Sequence, residues 1–406
     1  MLPECRTECI PFPIPKFSLD ESDIGGFMDE LKTFHEQFRD CFSRSEPWEN
    51  LFRYLSGQFS GLERKSIEPM ALHVEGGDVR CMQRFISDAV WNDDKILKRH
   101  HENINEEMGD KDGVLIFDES GFVKKGDDSA GVSRQYCGSI GKVENCQVGV
   151  FAAYASRHGY TLIDDQLFIP QKWFEDSHKE RREKCRFPED LSFKTKPQIA
   201  AEMFQKIREY QILPFKYVAA DSVYTNSEDF LDAVENIPGV VYFLAIPSDT
   251  FFWFHEPVVT EKQFKHKGVI MNRMVINKKE KDPVRVDNFA KDLKDYFWYR
   301  RTVAEGTKGP IDYEFTKRRV TLCKKGMPDR NVWLIIRRTL GKDPEYSFFI
   351  SNAPRSTKLS IFVWLSGIRW AIEQCFEETK TELGMDHYEV RKYGGWHHHI
   401  LTCMLA

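Results

Sequence analysis

A short apolar run that ends in a carboxylate is the feature that most constrains this chain. The run is Val-Leu-Ile-Phe at residues 114–117, and Asp118, Glu119, Ser120 and Gly121 follow it. An uninterrupted apolar run of this length before a turn signal predicts a buried strand. Such a strand would deliver Asp118 to the rim of a sheet, where the acid can hold a cation instead of being buried unpaired. The alternative is a plain turn, because strands often end in Asp before Gly.

The same arrangement recurs at Asp221, which directly follows the small apolar run Tyr-Val-Ala-Ala. Residues 133–136 read as a polar loop between the two acids. Further strands are predicted over residues 146–155, 161–169 and 240–246, and helices over residues 196–210 and 227–234. An antiparallel three-stranded meander followed by alternating helices and parallel strands is an RNase H-like arrangement. The predicted fold class is therefore α/β, with two strand-end acids that could meet at one rim.

Composition is typical of a globular protein without a membrane span. The chain has 406 residues and 41% hydrophobic content, enough to bury a sizeable core in two or three domains. No apolar run approaches the roughly 18 residues of a membrane span, and the N-terminus lacks a signal-peptide layout. The ten cysteines form neither a CxxC pair nor a Cys/His zinc spacing, which indicates reduced packing thiols. These features predict a cytoplasmic protein with no membrane partner.

Charge is distributed unevenly along the chain. The formal net charge is −5, but residues 262–342 carry 22 Lys and Arg against 9 Asp and Glu, which is +13 there and −18 elsewhere. This segment reads as mostly β, with aromatic residues among the basic ones, a mixture that suits phosphates and unstacked bases. The alternatives are a solvated lysine-rich surface and aromatics that only fill a core. We predict a separate β-rich insertion over residues 250–345.

Helical patterns dominate residues 21–110. Apolar spacing predicts helices over residues 24–38, 51–62, 62–74, 78–90 and 95–108. Asp78 is a plausible N-cap. The two helices that flank the turn at residues 76–77 fit a helix-turn-helix, whose second helix would carry Arg80, Gln83 and Arg84 into a major groove. An ordinary corner of a helical bundle is the alternative.

Residues 360–383 give the clearest helical pattern in the chain. One apolar stripe runs along it, and Arg369, Glu373, Glu377 and Lys380 lie on another face at spacings of four, four and three. An exposed ladder of salt bridges is the alternative to a functional role.

Two strand-end aspartates and one helical glutamate are a sufficient ligand set for divalent cations. Phosphodiester cleavage needs both the attacking and the leaving oxygen stabilised, and two ions about 3.5–4 Å apart can do this when carboxylates hold them. Hard oxygen donors without a Cys/His cage favour Mg²⁺, with Mn²⁺ as the second option. Arg369 and Lys380, on either side of Glu373, would then neutralise neighbouring phosphates.

Several short segments together carry a family signal. They are residues 117–126, 134–136, 143–151, 155–156, 196–197, 220–224, 369–373, 380, 383–384 and 386–391. In these segments the chain resembles DDE-type transposases of bacterial insertion sequences, most closely the 701 family within the group that carries a YREN-type signature. The resemblance implies an RNase H-like catalytic domain with a β-rich insertion between the second Asp and the Glu.

The resemblance also implies the catalytic residues. It places a metal-binding triad at Asp118, Asp221 and Glu373. The Arg, Glu and Lys of the signature match Arg369, Glu373 and Lys380, and this spacing favours Glu373 over its rival Glu377. Where the signature has a tyrosine, this chain has a serine at position 366, which leaves open whether a DNA hairpin forms during cleavage.

The function implied is cut-and-paste transposition: cleavage at terminal inverted repeats and transfer of the freed 3′-OH into target DNA, by a homodimer on DNA associated with the nucleoid. A nuclease of the same fold that does not join strands, and an inactive or truncated DNA-binding derivative, are the alternatives. The chain ends in the apolar run 400–406, which reads as the first turns of a helix that relatives usually continue. Expected DNA contacts are Lys124, Lys125, Arg134, Arg369, Lys380, Arg80 and Arg84.

The histidine run at residues 397–399 suggests a metal site, but structural or phosphate-binding roles are favoured.

The predicted organisation of the chain has five parts: an irregular arm (1–20), a helical DNA-binding domain (21–110), the first part of the catalytic domain (111–249), the basic insertion (250–345) and the C-terminal helices of the catalytic domain (346–406).

Overall fold

The computed structural model describes residues 21–225, 227–235, 237–266, 269–306 and 309–406. The predicted irregular arm at residues 1–20 lies outside them. The helices are α1 (Glu21–Glu36), α2 (Ser45–Gln58), α3 (Ile67–His73), α4 (Val79–Ser87), α5 (Asp93–Met108), α6 (Lys179–Lys184), α7 (Lys196–Tyr210), α8 (Ser222–Thr225), α9 (Glu228–Glu235), α10 (Val286–Asp292), α11 (Leu359–Ile368), α12 (Trp370–Thr381) and α13 (Tyr393–Leu405).

The strands are β1 (Val114–Val123), β2 (Ser133–Cys137), β3 (Lys142–Ser156), β4 (Gly159–Phe168), β5 (Tyr217–Ala220), β6 (Val241–Ile246), β7 (Phe251–Trp253), β8 (Val259–His266), β9 (Val269–Ile276), β10 (Val284–Arg285), β11 (Tyr299–Gly306), β12 (Gly309–Lys324), β13 (Met327–Arg338) and β14 (Tyr346–Ser351).

The described residues divide into two compact units. The first unit comprises residues 21–216, Asp232–Val234 and Arg369–Ala406, and the second unit comprises Tyr217–Leu231 and Glu235–Ile368. These limits do not coincide with the five predicted parts of the chain, whose assignment stays a prediction.

The first unit contains an antiparallel meander with helices packed against it. β3 is its central strand, with β1 on one edge and β2 and β4 along the other. Helices α5, α7, α12 and α13 all pack on β4. Both faces of β3 are buried from Cys146 onward, with Phe151 on one face and Tyr154 on the other, which explains why β3 is an almost continuous apolar run. The meander predicted from the sequence is confirmed.

The second unit contains one mixed sheet and one isolated hairpin. β5 and β6 are parallel, with the short helices α8 and α9 between them in sequence. β6 pairs with β14, β14 with β13, and β13 with β12, all antiparallel. Strands β12 and β13 of the basic segment therefore belong to the same sheet as β6, to which β14 connects them. Only β8 and β9 form their own two-stranded sheet among the described strands.

The chain order of these elements is RNase H-like. The antiparallel strands β1 to β4, helices α6 and α7, strand β5, helices α8 and α9 and the parallel strand β6 follow one another, and the closing helices come after a β-rich segment. Helices α1 to α5 precede them. This is the predicted fold class.

Two strand predictions need correction. β1 does not end at Asp118: it runs on to Val123, because every residue from Asp118 onward pairs with β3, Gly121 opposite Val148. The expected polar loop at residues 133–136 is instead β2, paired with residues 142–146 of β3. In both places the ladder of the neighbouring strand supplies hydrogen bonds that override weak local β propensity.

Two helix predictions also change. The single helix expected over residues 360–383 is interrupted at Arg369, which separates α11 from α12. Residues 400–405 do not begin a new helix but belong to α13, which starts at Tyr393 and includes the histidine run. Asp78 caps α4 as predicted, since its Oδ1 accepts a hydrogen bond of 2.8 Å from the Cys81 amide.

Candidate active site

Asp118 lies near the middle of β1, beside β3, the central strand of the first unit's meander. The four residues before it are fully buried, whereas Asp118 itself is half-buried. The Phe117 ring packs against Phe204 of α7, and Phe151 of β3 is the cross-strand partner of Asp118. The Asp118 Oδ1 atom accepts a hydrogen bond of 2.8 Å from the Glu119 amide. The carboxylate is thus held on a rigid strand and retains partial access to solvent.

Glu119 and Lys196 form an ion pair that ties β1 to α7. The Lys196 Nζ and Glu119 Oε1 atoms are 2.9 Å apart, and both side chains are only 21% exposed. Thr195 and Gln198 form a capping box at the start of α7, which fixes the helix end that carries Lys196. No sequence pattern predicted a role for this pair. The only signal was that both residues fall in the segments that carry the family resemblance.

Glu373 belongs to the same unit as Asp118, on helix α12. Phe376, one turn further, packs its ring on Phe151 with 5.1 Å between centroids. Since Phe151 pairs with Asp118, α12 lies over the strand next to that acid. Glu373 itself is 48% exposed, and its Oε1 is 3.5 Å from the Arg369 guanidinium. Its rival Glu377 is also exposed, so exposure does not separate the two.

Asp221 belongs to the second unit and follows β5, as predicted. All four residues of β5 are buried, and Asp221 is half-buried. Its carbonyl oxygen accepts a hydrogen bond of 3.1 Å from the Tyr224 amide, which starts the short helix α8. Carboxyl ends of parallel strands are common sites for ligands, and Asp221 occupies such a position in the β5–β6 pair.

Two of the lysines expected to contact DNA are largely buried in the first unit. Lys124 Nζ donates to the Tyr388 carbonyl at 2.9 Å and lies 3.2 Å from the centroid of the Tyr388 ring. Burial lowers the pKa of Lys124 to about 7, against the opposing charges of Asp386 and Glu389. Lys380 Nζ donates to the Gly121 carbonyl at 3.1 Å, and burial lowers its pKa as well. Both lysines therefore tie the C-terminal segment to β1.

Four of the other predicted basic contacts are exposed, and the fifth is half-buried. Lys125 follows β1 and Arg134 lies on β2, and both are exposed. Arg80 and Arg84 lie on the exposed face of α4, whose opposite face buries Met82, Phe85 and Ile86. Arg369 is 21% exposed beside Glu373. These placements leave the exposed side chains open to a polyanion.

The histidine run makes structural contacts. The His397 Nδ1 atom is 2.8 Å from Asp165 Oδ2, and the His398 ring stacks on Trp91 at 4.1 Å between centroids. His399 hydrogen-bonds the Tyr54 hydroxyl at 2.8 Å, and burial lowers its pKa to about 3. Three histidines on one helix thus face three different partners.

The described part of the chain lacks two features, a preformed metal cluster and a membrane-spanning helix. No group of three or more His, Cys, Asp or Glu side chains is arranged there to hold a metal ion. None of the helices in the described ranges is both long enough and apolar enough to cross a membrane.

A family model matches more than half of this chain. Residues 37–310 match the family described as DDE superfamily endonuclease. The probable transposase for insertion sequence element IS701 of Microchaete diplosiphon is 25% identical over 347 residues, which cover 84% of this chain and 77% of that protein. Among solved structures, the piggyBac transposase synaptic complex with hairpin DNA matches 91% of this chain and 66% of its own chain, with 8% identity and a TM-score of 0.40.

Proposed function

Because the chain belongs to the DDE superfamily of endonucleases, we propose that it is a cut-and-paste transposase that cleaves the ends of its element and joins them to target DNA. The observation that carries the proposal is the family match over residues 37–310, which includes Asp118 and Asp221. The similarity to the probable IS701 transposase extends over 84% of the chain, and it favours strand joining over cleavage alone.

The proposed catalytic residues are Asp118, Asp221 and Glu373. Three properties support them: Asp118 is held on a buried strand, Asp221 follows a parallel strand, and Glu373 lies on the helix packed over the partner strand of Asp118. Each is at least partly accessible. We prefer Glu373 to Glu377 because Arg369 pairs with it.

Members of this family use divalent metal ions, and the donor chemistry of the three acids fits them. No three acids in the described residues are already gathered into a metal site, so the proposal rests on donor chemistry. Carboxylate oxygens are the donors that Mg²⁺ and Mn²⁺ prefer, and we propose that Asp118, Asp221 and Glu373 hold Mg²⁺, with Mn²⁺ as a substitute. When bound, such ions supply an activated water and stabilise the leaving oxygen. The protein's own contribution is positioning: the Arg369 guanidinium orients Glu373, and the Lys196–Glu119 pair and Lys380 fix β1.

DNA is the proposed substrate and partner: terminal inverted repeats first, then target DNA. Lys125 and Arg134 are the proposed phosphate contacts near β1, and Arg80 and Arg84 are those on α4, because all four are exposed. Lys124 and Lys380 would act on DNA less directly, since both already bond backbone carbonyls. Cutting two ends in concert requires two active sites, so we propose a homodimer on DNA.

The test is cleavage of labelled DNA that carries the ends of the element, in the presence of Mg²⁺. Loss of an outer-sphere partner of a metal ligand typically reduces activity by roughly 10–100-fold. We expect Asp118→Asn, Asp221→Asn and Glu373→Gln each to reduce cleavage by more than that, because each removes a proposed metal ligand. Binding of the same DNA should persist in all three. Glu377→Gln is the matched control, one turn further along α12, and it should cleave normally.

Several outcomes would contradict parts of the proposal. If Glu377→Gln abolishes cleavage and Glu373→Gln does not, the third acid is misassigned. Cleavage without transfer to a second DNA would indicate a nuclease that does not join strands. Binding without cleavage by the natural protein, in Mg²⁺ and in Mn²⁺, would indicate an inactive DNA-binding derivative.

A further inference from the structure

The hairpin of β8 and β9 stands apart from the large sheet of the second unit. Its strands pair antiparallel with each other from Val259 and Ile276 onward, and among the described strands no third one joins them. Isolated two-stranded hairpins are marginally stable in water. Contact with a binding partner would therefore stabilise this hairpin.

One face of this hairpin combines like charges with apolar side chains. Lys262 is the cross-strand partner of Arg273, and Phe264 is the partner of Met271. The two pairs lie on the same face, because residues two apart in a strand point to the same side. All four side chains are exposed, with Phe264 at 46% and Met271 at 56%.

Neither pair stabilises the hairpin on its own. Like charges directly opposite each other destabilise a two-stranded ladder. Phe264 and Met271 leave about half of their surface in water. A partner with negative charge opposite Lys262 and Arg273 would offset their repulsion. An apolar surface on the same partner would remove Phe264 and Met271 from water.

Duplex DNA offers both negative charge and an apolar surface. Phosphates line each groove, and minor-groove binding proteins often insert Phe or Met between base steps. A second copy of this chain fits less well, because residues 262–342 carry +13 and two such surfaces repel each other.

We propose that the face formed by Lys262, Phe264, Met271 and Arg273 docks on the minor groove of duplex DNA. Lys262 and Arg273 contact the phosphates, and Phe264 with Met271 wedges against a base step. The inference rests on the proposed action on DNA and adds the surface and the mode of contact.

The test uses the full chain and a short fluorescein-labelled duplex of mixed sequence. Affinity is measured as a function of salt, and bending is measured by energy transfer between dyes at the two ends of the duplex. Lys262→Gln with Arg273→Gln should lower the slope of log affinity against log salt by about 2, since each lost phosphate contact removes about 0.9. Phe264→Ala with Met271→Ala should leave that slope unchanged and abolish the bend, which wedges typically set at roughly 20–90°.

A matched control removes the same charge beside the hairpin. Lys278 and Lys279 are exposed and follow β9, so Lys278→Gln with Lys279→Gln should change neither the slope by 2 nor the bend. If the control lowers the salt slope as much as the hairpin variant does, the assignment to this face is wrong. The assignment is also wrong if the natural protein binds DNA and neither hairpin variant changes the slope or the bend.

Two further results separate this inference from the proposed function. If the natural protein fails to bind DNA, both proposals fall together. If Phe264→Ala with Met271→Ala converts a dimer into a monomer by light scattering, and the bend remains, the face is an interface between two copies and the DNA assignment is wrong.

Discussion

Asp164 is a buried acid whose charge should destabilise the first unit. It lies on β4, its side chain is 3% exposed, and its Oδ2 atom has no hydrogen-bond partner among the described residues. Its Oδ1 atom accepts from the Asp165 amide at 3.0 Å and lies 3.2 Å from Lys206 Nζ. Burial raises the pKa of Asp164 from 3.8 to about 6, although the positive charge of Lys206 opposes the rise.

The size and sign of the effect follow from this pKa. A rise from 3.8 to about 6 corresponds to about 3 kcal/mol at 1.36 kcal/mol per unit. The folded state binds more protons than the unfolded state between these values. The free energy of unfolding therefore falls as pH rises from about 4 to 6 and stays lower above that range. Replacement by the neutral isostere Asn removes this loss.

We expect Asp164→Asn to raise the free energy of unfolding by about 3 kcal/mol at pH 7.5, by about half of that at pH 5, and by nothing below pH 4. In a unit of this size, 3 kcal/mol corresponds to roughly 6–12 °C in melting temperature. The measurement is thermal unfolding of the natural protein and the variant, followed by circular dichroism across this pH range.

The control for this prediction is Asp29→Asn, at an acid that is 86% exposed beside Lys32. Its melting temperature should follow that of the natural protein at every pH, because exposed substitutions usually change stability by less than about 0.5 kcal/mol. A difference between Asp164→Asn and the natural protein that does not depend on pH would refute the reasoning. So would a destabilised variant at pH 7.5, which would mean that the ion pair with Lys206 outweighs desolvation.

Two further predictions concern the packing around β1. A Cβ added at Gly121 would lie 2.5 Å from Cys137 Sγ, so Gly121→Ala should lower the free energy of unfolding by about 1–3 kcal/mol, measured by urea unfolding. Adding Cys137→Ala to this variant should restore part of the lost stability, and no rescue would contradict the steric cause. Phe376→Ala should lower the free energy of unfolding by about 3–5 kcal/mol and reduce DNA cleavage more than DNA binding, because Phe376 anchors α12 on Phe151. Phe376→Leu should retain most of the stability and most of the cleavage. Equal cleavage in the two variants would contradict an anchoring role.

Local patterns in the sequence were sufficient for most regular elements. The apolar spacing of α5 and α7 predicted both helices, and the short apolar runs of β5 and β6 predicted two strands that are indeed parallel. These elements are predictable because their buried positions recur at the period of the element itself. The RNase H-like order follows from the same patterns.

The extent of the strands depended on tertiary partners. Ser133–Cys137 reads as a loop, but β3 offers it a ladder of backbone hydrogen bonds. Asp118 reads as the end of a strand, yet β3 continues beside it as far as Val123. Polar stretches carry weak local signals, so their structure depends on which backbone lies next to them.

The fate of charged side chains was decided by tertiary structure as well. In the sequence, Lys124, Lys125 and Lys380 look alike as phosphate contacts. The fold buries Lys124 against Tyr388 and Lys380 against β1, and leaves Lys125 exposed. The sequence by itself determined which acids and bases are present and on which elements they lie. Only the tertiary structure decided which of them meet water, because desolvation depends on the atoms that surround a charge and not on its neighbours in the chain.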